Sequence, residues 1–216
     1  MCMDKNKKWI DYIIELQSLA QAGLTYGKDV YDQERYERIR QLSAMMMADI
    51  SNKPVKQVEG LFCNEVGYQT PKIDTRAAIF KEDKILLVQE KNGTWSLPGG
   101  WCDVNVSVME NTIKEVKEEA GLTLTSYQFR GLITFISDVC EPELMCLFTA
   151  DGFTGSLTAC NEGELEWVDK SIVPSLPTWT GDAIFLKLLL EDEQRFFTLR
   201  LVYEGEELVE HRLAFY

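Results

Sequence analysis

Histidine is almost absent from this 216-residue chain, and its scarcity excludes several kinds of active site. The single histidine is His211, and the six cysteines include no Cys-x-x-Cys pair. A zinc site of the usual Cys/His spacing is therefore nearly excluded. Ser-His-Asp and Cys-His catalysis are excluded as well, unless His211 is the base. Chemistry on this chain is expected to depend on carboxylates.

Long apolar runs are also missing. No stretch approaches the roughly 18–20 consecutive apolar residues that a membrane span requires. The start, MCMDKNKKW, lacks the pattern of a secretory signal. A hydrophobic content of 45% with 11% aromatic residues is enough to build a core and argues against a disordered chain. We therefore expect a soluble, cytoplasmic protein that does not bind membranes.

Positive charge is scarce in the larger part of the chain. The net charge is −13, from 22 basic and 35 acidic residues. Residues 1–60 hold 9 of each sign, so the whole deficit lies in residues 61–216, with 13 basic and 26 acidic side chains. This field would repel a long nucleic acid. A small anionic ligand remains compatible with it if bound cations reverse the local charge.

The first 50 residues predict a helical hairpin. Residues 8–22 have apolar side chains at helical spacing, and Gly23 is expected to end that helix. Asp29 or Asp32 is expected to cap a second helix that runs to about Asp49. The predicted apolar stripes are Trp9, Ile13, Leu16 and Ala20 in the first helix and Tyr36, Ile39, Leu42 and Met46 in the second. Because a hairpin cannot cover both stripes, we expect a homodimer formed through these helices.

Residues 51–71 carry glycines and prolines with little periodicity and are interpreted as a linker. The remaining residues, 72–216, predict one domain of mixed strands and helices, in the α/β or α+β class. It is expected to open with a hairpin of 76–80 and 85–89 and to close with another near the C-terminus. Further strands are expected at 127–136, 143–149 and 164–168, and a helix at 182–190.

The most informative segment is Trp95–Leu122. Ser107 and Glu110 form a capping box, which predicts a helix from about Val108, and Gly121 is a typical terminator. Within this helix Glu115, Glu118 and Glu119 crowd one face, where they repel each other and oppose the helix dipole. This arrangement disfavours the helix by itself, and a divalent metal ion would compensate for it.

These residues resemble the Nudix box, G-x5-E-x7-R-E-U-x-E-E-x-G-U, in which U is aliphatic. Gly100 occupies the first position, and residues 114–122 (KEVKEEAGL) occupy the end. The preceding WSLPGG is also typical of the family. Two positions differ. Val106 replaces the first glutamate, although Asp103 stands three residues earlier, and Lys114 replaces the arginine, which keeps the charge but loses the bidentate fork.

The resemblance implies an α/β/α sandwich that hydrolyses a nucleoside diphosphate linked to another group. It implies Mg²⁺, with Mn²⁺ as a substitute, held by Glu115, Glu118 and Glu119, and Lys114 beside them in the catalytic site. Gly99 and Gly100 are expected to bind substrate by close approach of the backbone. Spacing does not identify the general base, and Glu115 is chosen by analogy with the family.

Two resemblances compete for the substrate. The N-terminal half resembles the Nudix subfamily with an extra helical domain, which includes CDP-choline and ADP-ribose pyrophosphatases. The C-terminal half resembles oxidised-purine nucleoside triphosphatases (8-oxo-dGTP diphosphatases). The second resemblance implies that Glu162 reaches the metals and that Trp179 and Asp182 contact the base. The alternatives are an acidic turn for Glu162, core packing for Trp179 and a helix N-cap for Asp182.

The sequence thus predicts a Nudix pyrophosphohydrolase with a small nucleotide substrate. The leading substrate is an oxidised purine nucleoside triphosphate such as 8-oxo-dGTP, cleaved to monophosphate and pyrophosphate. The second candidate is CDP-choline or ADP-ribose. Val106 and Lys114 motivate a third reading, a catalytically silent domain that binds a metabolite. An RNA-decapping activity is a further option, which the negative charge opposes.

Overall fold

The computed structural model describes residues 3–63, 66–67, 70–137, 140, 142–158 and 163–216. The chain divides into two compact units, Met1–Thr70 and Pro71–Tyr216. No described helix combines the length and the apolar character needed to cross a bilayer.

The described part of the first unit is helical. Its helices are α1 (Met3–Tyr26), α2 (Val30–Ser51) and α3 (Val55–Phe62). Asp29 caps α2 by accepting a hydrogen bond from the backbone N–H of Asp32 at 3.0 Å, which confirms the first of the two predicted caps. The prediction that Gly23 ends the first helix is wrong. A side chain at Gly23 would collide with the ring of Tyr36, so this glycine lets α1 and α2 approach closely.

The buried face of α1 also differs from the predicted stripe. Ile13 and Ala20 are fully buried, whereas Trp9 and Leu16 are 54% and 39% exposed. The buried face is completed by Gln17 and Gln21, which donate hydrogen bonds to backbone carbonyls of the same unit. The two amide nitrogens have partners, as buried polar groups usually do, whereas Oε1 of Gln17 has none among the described residues. Periodicity of apolar residues does not detect such buried polar side chains.

The interpretation of residues 51–71 as a linker is wrong where α3 forms. Val58 and Cys63 are buried against Ala44 and Ala48 of α2. Pro54 precedes the first turn of α3, where proline is tolerated because the first backbone N–H groups of a helix have no partner within it. The compact first unit accordingly extends to Thr70.

The second unit contains a mixed sheet with the order β3-β2-β1-β6-β5-β8-β9, to which β4 adds by pairing with β1 and β7 by pairing with β2. The pairs β1–β6 and β5–β8 are parallel, and the other pairs are antiparallel. The described strands are β1 (Lys72–Lys81), β2 (Lys84–Glu90), β3 (Trp95–Ser96), β4 (Gly99–Trp101), β5 (Leu122–Ser137), β6 (Glu143–Gly155), β7 (Gly163–Asp169), β8 (Phe197–Glu204) and β9 (Glu207–Phe215).

Helices cover both faces of this sheet. The helix α4 (Val108–Ala120) packs Val116 and Ala120 on one face, against Ala77 and Ile79 of β1. The helix α5 (Thr180–Leu190) packs on the other face, where Ala78 of β1 belongs to the larger core. Successive residues of β1 thus belong alternately to the core under α4 and to the core under α5, which gives the predicted α/β/α sandwich. The two predicted hairpins are confirmed as β1–β2 and β8–β9.

Candidate active site

Residues 97–100, here called the turn, bend at Pro98 and enter β4 at Gly99, and they form the floor of the candidate site. Gly99 pairs with Arg76, and Gly100 pairs with Thr75, because β4 runs antiparallel to β1. Gly99 has φ +145°, and a side chain there would overlap the carbonyl oxygen of Thr75. Only glycine fits this position, so the backbone of the turn lies directly on the strand.

The helix α4 carries the predicted carboxylates toward this turn. Both hydrogen bonds of the Ser107–Glu110 capping box are present, and Gly121 ends the helix with φ +72°, as predicted. The helix start is therefore fixed by local chemistry, and this fixes which residues face the turn.

The three glutamates lie in different surroundings. Glu119 is 9% exposed, and its Oε2 accepts a hydrogen bond from the backbone N–H of Gly99 at 3.0 Å. Oε2 of Glu115 lies against Gly100, where an added Cβ would be only 2.8 Å away. The side chain of Glu118 is 62% exposed at the rim. Turn and helix are thus joined through Glu115 and Glu119.

Lys114 connects the carboxylates at the rim. Its Nζ lies 2.6 Å from Oδ2 of Asp103, 2.9 Å from Oε1 of Glu115 and 3.6 Å from Oε2 of Glu118. Hydrogen bonds to Asp103 and Glu115 raise the pKa of the Lys114 ammonium. The side chains of Glu115 and Glu118 therefore both lie beside the ammonium group of Lys114.

Sequence reasoning missed Asn111, a fully buried residue of α4. Its Nδ2 donates to Oγ1 of Thr75 at 2.9 Å and to the carbonyl oxygen of Trp101 at 3.1 Å, and its Oδ1 accepts from the N–H of Asp103 at 3.0 Å. One amide thus joins strand, turn and helix. In the sequence, Asn111 was recognisable only as a polar residue one helical turn before Glu115.

A cavity of about 630 Å³ lies over the turn, and Gly99, Gly100, Glu115 and Glu119 all line it. Two further lining residues were not predicted. Arg76 projects from β1, and the indole of Trp101 is 56% exposed. The cavity therefore combines carboxylates, one guanidinium and one aromatic ring, the chemistry that a nucleotide site needs.

The other predicted residues lie elsewhere. Trp179 is 45% exposed at the start of α5, and neither it nor Asp182 is among the described residues that line the cavity. Asp182 is 8% exposed and is the third residue of α5, so the N-cap alternative is wrong. Burial raises the pKa of Asp182 to about 7, although Arg76 opposes the shift. Glu162 lies outside the described residues.

The glutamate carboxylates are ligands of the type that a hard divalent cation prefers. Glu115 and Glu119 line one cavity, and carboxylate oxygens suit Mg²⁺. Glu118 and Glu115 already converge on the Lys114 ammonium. Among the described residues, however, no three side chains of the His, Cys, Asp and Glu types are arranged as a ready metal site. The predicted trio therefore supplies ligands of the right type, but it does not form a closed cluster.

Comparison with protein families identifies this arrangement. Residues 70–189, more than half of the chain, match the model of the NUDIX domain. The chain belongs to the Nudix family. Enzymes of this family generally use divalent metal ions. Residues 7–62 match a second family, described as a UDP-X-like N-terminal oligomerisation domain. The predicted resemblance, including the extra helical domain, is confirmed.

Individual relatives divide between two activities. YjhB of Bacillus subtilis, provisionally named an ADP-ribose pyrophosphatase, is 51% identical over 115 residues, which are 53% of this chain and 55% of YjhB. The chain thus matches about half the length of that relative. An oxidized purine nucleoside triphosphate hydrolase of Danio rerio is 27% identical over 150 residues, covering 67% of this chain and 95% of the relative.

A solved structure supports the fold. The MutT protein of Bacillus halodurans superposes with a TM-score of 0.62 at 28% identity, covering 66% of this chain and 97% of that one.

Proposed function

We propose that this Nudix protein hydrolyses a phosphoanhydride bond of a small nucleotide. The observation that carries the proposal is the 3.0 Å hydrogen bond from the N–H of Gly99 to Oε2 of Glu119, which fixes α4 against the turn. Glu115 then lies beside Gly100 in the same cavity. Backbone and carboxylates are thereby held in place before substrate arrives, as preorganised catalysis requires.

Glu115, Glu118 and Glu119 would hold the divalent cation. When bound, this ion neutralises the charge of the phosphates and so makes phosphorus accessible to a water molecule.

We assign the general base to Glu115. Lys114 holds Oε1 of Glu115 at 2.9 Å, which leaves Oε2 toward Gly100 and the cavity. The oxygen of a water molecule forms a bond to phosphorus, the anhydride P–O bond breaks, and the proton of the water passes to Glu115. For a nucleoside triphosphate the products are the monophosphate and pyrophosphate.

The leading substrate is an oxidised purine nucleoside triphosphate such as 8-oxo-dGTP. The resemblance assigns Asp182 to the base, and a carboxyl group can accept from, or donate to, a base edge. Asp182 is buried and burial raises its pKa to about 7, but it does not line the cavity that holds Glu115 and Glu119. The relationship to the Danio rerio enzyme, which extends over 67% of this chain, supports this substrate.

Cleavage of ADP-ribose or CDP-choline is the second candidate. The 51% identity to YjhB and the UDP-X-like N-terminal domain favour it. The relative with the higher identity matches 115 residues and the other matches 150, so sequence similarity does not decide between the substrates.

Steady-state hydrolysis of 8-oxo-dGTP, dGTP, ADP-ribose and CDP-choline by the full chain, with Mg²⁺ or Mn²⁺, tests the proposal. We expect 8-oxo-dGTP to have the highest kcat/KM, and ¹⁸O from labelled water identifies the phosphorus that is attacked. Activity confined to ADP-ribose or CDP-choline would establish the second candidate. No turnover of any nucleotide, together with binding, would indicate the catalytically silent alternative.

We also propose that the chain forms a homodimer through its N-terminal unit. Apolar side chains of α1 are exposed, among them Leu19 at 59% and Trp9 at 54%. Exposed apolar residues at this density mark a surface for another protein, and residues 7–62 match an oligomerisation domain.

A further inference from the structure

Arg76 occupies an unusual position in the cavity. Its Nε donates to Oδ2 of Asp74 at 2.7 Å, and its Nη1 donates to the carbonyl oxygen of Leu97 at 3.0 Å. Among the described residues, no acceptor contacts Nη2. The side chain is 28% exposed and lines the cavity together with Gly99 and Glu119. Two N–H groups of a guanidinium are therefore available to a bound molecule.

The two existing bonds fix the direction of these free donors. Asp74 holds one edge of the guanidinium from the same strand, and its side chain is only 2% exposed. Leu97 holds the second position from the turn. A donor that is fixed before binding loses little conformational entropy when it makes a further hydrogen bond. The arrangement is thus suited to recognise one acceptor atom in one place.

The charges around Arg76 indicate which acceptor this is. Asp74 already compensates the positive charge of Arg76 at 2.7 Å, and its carboxylate is only 2% exposed. A phosphate at Nη2 would therefore gain little net attraction and would be repelled by the Asp74 carboxylate. A neutral oxygen pays no such repulsion, and the carbonyl on the edge of guanine is the commonest specific partner of arginine in nucleic acids.

The edges of the two common purines differ at this acceptor. In guanine-type purines position 6 carries a carbonyl oxygen, whereas adenine has an amino group there. The N–H donors of Arg76 therefore match the first edge and not the second.

We propose that Arg76 is a specificity-determining residue that donates hydrogen bonds from Nη2 to the 6-oxo group of a purine nucleotide. The proposal rests on the proposed nucleotide-hydrolase function. It predicts discrimination between dGTP and the triphosphate of 2-aminopurine deoxyriboside, which keeps the 2-amino group but lacks the 6-oxo group and the N1 proton, and it predicts that this discrimination depends on Arg76.

The test measures kcat and KM for this nucleotide pair with the wild type, Arg76→Gln and Lys91→Gln. We expect the wild type to prefer dGTP by about 10- to 100-fold, the usual effect of a lost hydrogen bond to a charged group. Arg76→Gln should bring the ratio close to unity, mainly by raising KM for dGTP. Lys91, a second cation of the same cavity, is the matched control, and its variant should retain the wild-type ratio.

Equal losses of kcat for both nucleotides in Arg76→Gln would overturn the proposal, because Arg76 would then only anchor the turn at Leu97. If Arg76→Gln does not fold, the double variant Asp74→Asn/Arg76→Gln removes the buried charge together with its partner. A wild type that turns over both nucleotides equally overturns the proposal without any variant.

Failure of the proposed function has a different signature. A wild type that hydrolyses only ADP-ribose, whose adenine has no carbonyl oxygen, contradicts the role of Arg76 but retains hydrolase function. If no nucleotide is hydrolysed, calorimetric binding of dGTP and the 2-aminopurine nucleotide to wild type and Arg76→Gln gives the same ratio independently of turnover. Equal affinities would then reject the assignment.

Discussion

Nζ of Lys114 donates a hydrogen bond to Oδ2 of Asp103 at 2.6 Å, although the residues are eleven positions apart. The bond joins one position where this chain departs from the Nudix box, Lys114, to a residue that lies three positions before the other, Val106. Lys114 stands where the motif has arginine, and Asp103 supplies a carboxylate close to Val106, which stands where the motif has glutamate. The same ammonium holds Glu115 at 2.9 Å. A cation that loses one carboxylate partner redistributes its contacts to the others.

Asp103→Asn should therefore lower kcat by only about fivefold or less, because the pair is partly exposed and solvent weakens exposed ion pairs. The loss should shrink at high salt because screening weakens the wild-type pair. Lys114→Arg should retain activity. Asp83→Asn, at the tip of the β1–β2 hairpin, is the control. An unchanged kcat of Asp103→Asn at low salt would show that Lys114 orients Glu115 without Asp103.

Substitutions of Glu119 and Glu118 should affect stability differently but catalysis alike. Glu119→Ala leaves the N–H of Gly99 without its acceptor, at a cost of about 1–3 kcal/mol, which lowers Tm by several degrees. Glu118 is exposed, so Glu118→Ala should leave Tm unchanged. Both Glu→Gln variants should lose more than tenfold in kcat if both carboxylates hold the cation. Differential scanning calorimetry and initial rates measure the two effects, and equal Tm values for the two alanine variants would contradict this assignment.

Adjacent glycines should respond differently to alanine. At Gly100 the added methyl group meets Oε2 of Glu115 at 2.8 Å, the end of a flexible side chain, so activity should fall while the fold persists. At Gly99 the methyl group meets the backbone of Thr75, and the fold itself should be destabilised. Gly60→Ala in α3 is the control, because nothing lies within 4 Å and alanine favours a helix. Retained activity in Gly100→Ala would place Glu115 elsewhere during catalysis.

The parts of this site that sequence predicted are those determined by near neighbours. Ser107 and Glu110 specify the start of α4 within four residues, and the position of every glutamate on the helix follows. Arg76 was placed only in a strand, because its role depends on the pairing of β1 with β4. Asn111 was missed for the same reason: its partners lie on β1 and in the turn. Gly23 shows a second difficulty, since one glycine can end a helix or allow close packing.

The pKa of Asp182 predicts a pH dependence of stability. Burial raises this pKa from 3.8 to about 7, against the influence of Arg76, while Glu90 and Asp74 add to the increase. Between pH 4 and pH 7 the unfolded chain releases this proton and the folded chain retains it, so stability should fall as pH rises and then level off above pH 7.

Asp182→Asn removes this titration, so its free energy of unfolding relative to the wild type should increase from pH 5 to pH 8. Urea unfolding at each pH measures the difference. Asp83→Asn controls for the loss of one negative charge at an exposed site. Part of the wild-type slope should remain in Asp182→Asn, because burial also raises the pKa of Glu143. Parallel pH profiles of Asp182→Asn and wild type would exclude Asp182 as the source.

The proposed homodimer makes its own prediction. Light scattering of the full chain should give about twice the monomer mass of 24.8 kDa. Leu19→Arg places a charge on the exposed apolar side of α1 and should weaken the dimer at least tenfold, because a buried unpaired charge at an interface is costly. Val209→Arg, a similarly exposed apolar position on β9, should leave the mass unchanged. A monomeric wild type, or a dimer that tolerates Leu19→Arg, would show that α1 does not form the interface.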